Sequence, residues 1–421
     1  MYKISSFDNG LQLVTVAMPH AYSISVGLYL SIGSRYESAK LAGASHFIEH
    51  MLFKGTERRR TPREIALAIE GVGGDINAST GRETTTYYAR VSRDDLHIAC
   101  DVLVDMLRHS RFDAADVERE RQVIIEEINE SLDSPDELVH MQFQEMLWSN
   151  HPLGRDIAGS HESVRGLSRD DLLSYMRQGY APQNTVIAVA GSITHQQVRD
   201  VISPMLADWQ ADHTLRAKEV LPFEGPSVQL LQRPIEQCHM LLGVRNFGRS
   251  NNQRYALSLL NIILGSGMSS RLFVEIREQM GLAYSVYSYT NLLRETGTSA
   301  IYAAVDSSNV QPCLKALIEQ LHRLRTTSVT AEELAMAKAY ARGRTLLRLE
   351  DTGANTSWVG NQLALTGEIQ TPEQILAKID RVTQEDIQNV ARDLFRDQAL
   401  ALSLVGPIED DYNWHHLLKV E

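Results

Sequence analysis

A chain of 421 residues with 43% hydrophobic and 22% charged residues is too long for one ordinary core and reads as a soluble globular protein of about two domains. Its formal charge of −12 disfavours a general nucleic-acid binder and suits an acidic surface or cavity that attracts basic partners. No run of 18 apolar residues occurs, which excludes a helical membrane span.

The first eight residues, Met1 to Asp8, hold neither an apolar signal core nor an Arg-rich leader. Cys100, Cys238 and Cys313 are far apart and form no CxxC pair. The expectation is a reducing cytoplasm, with these three as reduced core thiols.

Taken in order, Leu11 to Ala17 alternates after an Asn9-Gly10 turn, and Ser23 to Ile32 is a second β-rich run ending at Gly33. An apolar helix follows around Gly43 to Phe53. Thr61-Pro62 caps a helix through Ile69, which Gly71, Gly73 and Gly74 stop. Asp75 to Thr80 and Thr84 to Val91 read as paired strands. Ser92 to Asp95 caps a helix through Leu107, and longer helices span about Ala114 to Leu132 and from Ser134-Pro135 to Trp148. Ser168 to Met176 is helical, Asn184 to Val189 is a strand, and Gln196 to Leu206 is helical.

Residues 211–226 lose the periodicity and read as a linker between an N-terminal domain, 1–210, and a C-terminal one, 227–421. The order of elements then begins again. His239 to Arg245 matches the strand around Ser25 to Leu30, and Tyr255 to Leu264 matches the apolar helix. The strand Thr298 to Val305 with its helix to Leu324 matches the pair ending at Leu107. Thr330-Ala331-Glu332-Glu333 opens a long helix as Asp113 to Asp116 does. The pattern predicts an α+β fold of two homologous α/β halves, each a mainly antiparallel sheet packed with helices.

The apolar helix carries His46-Phe47-Ile48-Glu49-His50. On the 3.6-residue period His46 stands at 0°, His50 at about 40° and Glu49 at about 300°. Three polar groups thus share one arc, with Phe47, Ile48, Met51 and Leu52 around the rest. A single histidine in such a segment is ordinarily a satisfied core histidine. Two of them with a carboxylate form the H-x-x-E-H pattern of a metal site. The corresponding stretch of the second half, Ser258 to Ile263, lacks it, so one metal per chain is expected.

Two histidines make half a site, and a catalytic zinc ordinarily takes a third protein ligand. The helix from Val117 to Ile128 is rich in carboxylates, which by default make a solvated face. With Glu120 as the origin, Glu127 falls at about 340°, Ile124 at about 40° and Val123 at about 300° on the same helical period. Glu120 and Glu127 thus share the inward arc. Glu118, Glu126 and Glu130 lie further round. The third ligand is therefore Glu127 or Glu120, and the wheel does not choose between them.

His46 to His50, followed far down the chain by the glutamate of Ile125-Glu126-Glu127-Ile128, resembles the M16 (pitrilysin-like, inverzincin) metallopeptidases. It is most similar to their short subfamily, which includes the mitochondrial processing peptidase and its bacterial relatives. The resemblance extends over nearly the whole chain, through Gly73-Gly74-Asp75-Ile76-Asn77-Ala78, Pro152-Leu153-Gly154, Gly267 to Phe273 and Ile276 to Tyr284.

The resemblance implies one Zn²⁺ held by His46, His50 and Glu127, with Glu49 as general base and Glu120 behind the ligands. It also implies that Arg277 and Tyr284 bind substrate and that Asn77, Ala78 and Ser79 form an edge to which a peptide adds as a strand. For Glu120 the plainer reading is a buried ion pair, and for Arg277 and Tyr284 a surface salt bridge and a strand-face aromatic.

The fold implied is half of a clamshell, closed by a second chain. A homodimer is the economical expectation, with a heterodimer as its alternative. The expected activity is zinc-dependent endopeptidase action on unfolded oligopeptides or short leader segments, with a preference for basic peptides. The rival from another class is a non-catalytic assembly subunit of the same fold.

Overall fold

The computed structural model describes residues 2–210, 215–408 and 412–421. Of the expected linker, 211–214 lies outside the described residues, and 215–226 carries no helix or strand. The strands are β1 (Tyr2–Ser6), β2 (Gln12–Ala17), β3 (Ser23–Leu30), β4 (Asp75–Thr80), β5 (Thr85–Ser92), β6 (Thr185–Gly191), β7 (Ser227–Gln232), β8 (Gln237–Phe247), β9 (Ala283–Leu292), β10 (Thr296–Asp306) and β11 (Ala401–Gly406). The first helices are α1 (Ala44–Leu52), α2 (Pro62–Glu70), α3 (Leu96–His109), α4 (Ala114–Asp133), α5 (Pro135–Leu147), α6 (His161–Gly166), α7 (Arg169–Gly179) and α8 (His195–Leu206). They are followed by α9 (Arg254–Gly265), α10 (Val310–Thr326), α11 (Ala331–Arg348), α12 (Thr352–Thr366), α13 (Pro372–Arg381) and α14 (Gln384–Leu394).

The chain forms two compact units. One comprises Met1–Asn129, Arg155–Lys218 and Leu347–Ile369, the other Glu130–Gly154, Glu219–Leu346 and Gln370–Glu421. The units therefore do not follow 1–210 and 227–421 as unbroken stretches. Helix α5, early in the chain, belongs to the second unit, and α12, late in the chain, belongs to the first. Each goes where its apolar side is buried. Val359 and Leu363 of α12 pack with Val14, Tyr29, Val186 and Ala188. Val139, Phe143 and Leu147 of α5 pack with Leu241, Ala401 and Val405. A glycine permits the first contact: a Cβ at Gly360 would lie 2.3 Å from the Tyr29 ring.

The sheet of the first unit has the order β1-β2-β6-β3-β5-β4, and that of the second β7-β11-β8-β10-β9. With β1 set aside, the two orders correspond strand for strand. The parallel pair also recurs, β2 with β6 and β7 with β11, in sheets otherwise antiparallel. The duplicated α/β design expected from the repeat is thus the architecture. Strand β3 lies between α12 and α3, which is why it is buried along nearly its whole length. Such double burial suits its apolar run better than an alternating pattern would.

One of the two edges of the first sheet is β4, whose burial alternates. Asp75, Asn77 and Ser79 are exposed, while Ile76, Ala78 and Thr80 turn to the side where α1 packs. Cys100, Cys238 and Cys313 are free and buried. No helix among the described residues is long and apolar enough to cross a membrane.

Candidate metal centre

Helix α1 starts at Gly43, which adopts a left-handed φ of +93°. A side chain there would meet strain and also place its Cβ 2.5 Å from the Ala158 carbonyl oxygen. No side chain at the N-cap itself satisfies the first amides. The buried carboxylate of Glu37 does so from outside the helix, accepting from Gly43 N at 2.9 Å and Ser45 N at 2.7 Å. Phe47, Ile48, Met51 and Leu52 are fully buried and hold the opposite arc of the helix in place. His46, Glu49 and His50 remain on its half-buried side.

These histidines face Glu127 of α4. Glu127 Oε2 lies 3.8 Å from His46 Nε2 and 3.7 Å from His50 Nε2. The two imidazoles meet edge to face, with ring centroids 4.6 Å apart. The separations to Glu127 are too long for direct hydrogen bonds. They are near the edge of about 3.3–3.4 Å that a tetrahedron with bonds of about 2.0–2.1 Å would have. Among the described residues this trio is the one group of His, Cys, Asp or Glu placed to hold a metal ion.

The protonation states suit the same use. Burial, with His50 beside it, pushes His46 down to about 4, leaving the neutral imidazole that a metal ligand must be. Burial also works against charge on His50. There the bond His50 donates to Glu120 and the charges of Glu127, Glu120 and Glu49 prevail and raise its pKa. Carboxylates converging on one imidazole favour positive charge at that place, and a divalent cation supplies it. The donor set thus fits Zn²⁺.

The structure separates the two glutamates the helical wheel left open. Glu127 turns its oxygen to both Nε2 atoms. Glu120, two turns earlier and 7% exposed, accepts from His50 Nδ1 at 3.1 Å and pairs with Lys54 Nζ at 2.6 Å. Burial works against its charge, but these bonds hold its carboxyl below the usual range. Val123, expected on the inward arc, is 43% exposed. The buried stripe runs instead through Val117, Ile124, Ile125 and Ile128, with Glu120 at its rim and Glu127 just outside. Glu126 is exposed.

Glu49 accepts a short hydrogen bond from the Thr80 hydroxyl at the end of β4. Its pKa is raised by burial and the Glu127 charge, against the Thr80 bond and His50. In the second unit, Arg277 lies in the last turn of a π-helical segment, Leu272–Gln279, whose capping residue Met280 donates its N–H to the Glu275 carbonyl. Its guanidinium lies 5.0 Å from the Tyr284 ring centre and 4.8 Å from that of Phe273. The expected Arg and Tyr are therefore neighbours, and Tyr284 is 77% exposed. Asn77, Ala78 and Ser79 lie on the free edge strand.

Three contributors escaped the sequence reading. Lys54 stands two residues beyond the end of α1, where the wheel of that helix no longer fixes a direction. Glu37 and Thr80 act across loops and strands, and no local spacing announces them.

The chain matches the family model for insulinase (peptidase family M16) over residues 12–161 and that for the peptidase M16 inactive domain over residues 166–340. An uncharacterized zinc protease of Streptomyces coelicolor is 37% identical, over 96% of this chain and 90% of its own length. The uncharacterized zinc protease YmxG of Bacillus subtilis is 35% identical, over 97% and 98%. Among solved structures, a protease from Helicobacter pylori superposes with a TM-score of 0.89 at 21% identity, covering 97% of this chain and 99% of that one; it bears on the fold alone. The second model includes α9, the helix that matches α1 and has no H-x-x-E-H. With 96% of its length aligned to a zinc protease at 37% identity, the chain belongs to peptidase family M16.

Proposed function

We propose that the protein is a zinc endopeptidase that cleaves unfolded oligopeptides or short leader segments. The observation that carries this reading is the convergence of His46 Nε2, His50 Nε2 and Glu127 Oε2, with Glu49 on the same helix. His46, His50 and Glu127 would hold Zn²⁺, which when bound would supply Lewis acidity towards water and the scissile carbonyl. Glu49 takes the proton of the attacking water and returns it to the leaving amine. Its raised pKa brings it closer to working pH, as a proton carrier requires.

The peptide adds as a strand to the free edge of β4, at Asn77, Ala78 and Ser79. This mode reads backbone rather than a folded surface. Arg277 and Tyr284 donate to substrate carbonyl groups and stabilise the developing oxyanion. Two copies of the chain close a cavity around the peptide, and the charge of −12 favours basic segments.

The test is zinc content measured together with cleavage of a quenched peptide, with and without chelator. One zinc per chain and chelator-sensitive cleavage are expected. Stoichiometric zinc without hydrolysis would instead favour a silent assembly subunit.

A further inference from the structure

We propose that Lys54 is a positioning residue for the metal site, acting through Glu120 on His50. The inference rests on the zinc reading above and extends it to a residue that touches no ligand. Glu120 has two oxygens and one partner on each: Lys54 Nζ at 2.6 Å on Oε1 and His50 Nδ1 at 3.1 Å on Oε2. A carboxylate bonded on one side only can rotate about its terminal torsion, which is soft. Bonded on both sides, and with a side chain only 7% exposed, it is fixed.

The consequence falls on the imidazole. Glu120 is an acceptor towards His50, so Nδ1 carries the hydrogen and the Nε2 lone pair points to the metal side. Lys54 keeps that acceptor in place. The same ammonium joins two elements: it follows the end of α1, four residues after His50, and it grips α4 two turns before Glu127. One contact thus fixes the angle of a histidine ligand and the spacing between the helices that carry all three ligands.

The burial pattern supports a positioning role over a surface ion pair. Lys54 is 27% exposed and its partner far less. A lysine at an ordinary helix end serves the helix carbonyls. This one is turned to a carboxylate whose other oxygen is already engaged by a ligand.

The experiment measures zinc release into a chromophoric chelator from wild type, Lys54→Met, Lys54→Arg, Glu120→Gln and the Lys54→Met/Glu120→Gln pair. Circular dichroism first establishes that each variant is folded. Glu120→Gln is expected to release zinc roughly 10- to 100-fold faster, the usual effect of losing the direct outer partner of a ligand, and Lys54→Met to speed release about 10-fold, within that limit. Lys54→Arg is expected to restore most of the loss. The double variant is expected to match Glu120→Gln alone, because Lys54 acts through Glu120.

Wild-type release from Lys54→Met would overturn the proposal, as would losses that multiply in the double variant. Should Lys54→Met fail to fold, the comparison of Lys54→Gln with Lys54→Arg decides in the same way. Should the wild type hold no zinc, the peptidase reading falls by itself. The ¹⁵N signals of His50 in the metal-free chain then carry the test, since the Nδ1–H tautomer is expected to be lost in Lys54→Met. A tautomer unchanged by that substitution would overturn the role of Lys54.

Discussion

The Thr80 hydroxyl donates to Glu49 Oε2. This bond ties the last residue of the edge strand to the carboxylate that stands between the two histidines of α1. The strand proposed to receive the peptide and the group proposed to move the proton are therefore linked through one side chain. Thr80→Val is expected to lower kcat about 10-fold, the loss of about 1.4 kcal/mol for a hydrogen bond to a charged group. KM and zinc content are expected to stay near wild type, and Thr80→Ser to keep most of the activity. Steady-state kinetics with metal analysis reads all three, and wild-type turnover in Thr80→Val would remove Thr80 from the account.

The two neighbouring glutamates of α4 make a sharper contrast. Glu127 faces both Nε2 atoms at 3.7 and 3.8 Å, whereas Glu126 is exposed. Glu127→Gln is expected to lose zinc on dialysis, and Glu126→Gln to retain it at wild-type stoichiometry. Elemental analysis of the two variants is the measurement. Retention by the first and loss by the second would reverse the ligand assignment.

Stability should vary with pH through Glu37. Complete burial pushes its carboxyl up from 4.5 to about 7, against the bonds it accepts from Ser45 and Gly43 and the nearby charge of Arg155. A raised acid keeps its proton in the folded chain after the unfolded chain has lost it. Its contribution to stability is therefore full below about 4.5 and is lost as pH rises through about 7. The loss over that window is at most on the order of 3 kcal/mol. Denaturant titrations of metal-free protein at pH 5 and pH 7 are expected to differ in this direction, and Glu37→Gln to flatten the difference. An equal slope in both proteins would mean that Glu37 does not carry it.

Much of this was legible in the chain itself, for identifiable reasons. Helix α1 concentrates its signal in five consecutive residues, and a helical period of 3.6 fixes their relative directions wherever the helix packs. The duplication was legible because corresponding strands and helices recur in the same order; the parallel pair that both sheets share was not, since pairing direction leaves no mark on a strand's own sequence. Spacing along one helix, however, says nothing of what stands opposite. It could not choose Glu127 over Glu120, since that depends on which oxygen meets which imidazole nitrogen. It also misplaced Val123, because burial is set by the neighbouring elements and not by the wheel. The exchange of α5 and α12 was hidden for the same reason: an apolar helix face shows that a partner exists, not which sheet supplies it. Glu37 reaches the start of α1 across a loop, and Arg277 sits in a π-helical segment whose bonds shift by one residue from the α pattern. Neither leaves a periodic trace.

The central claim is that Glu49 moves the proton while His46, His50 and Glu127 hold the metal. Glu49→Gln tests it most directly, because it keeps the shape of the side chain and removes only its capacity to accept a proton. The variant is expected to bind one zinc per chain and to lose turnover by roughly 10²- to 10⁴-fold. Cleavage at the wild-type rate by the zinc-loaded variant would contradict the account.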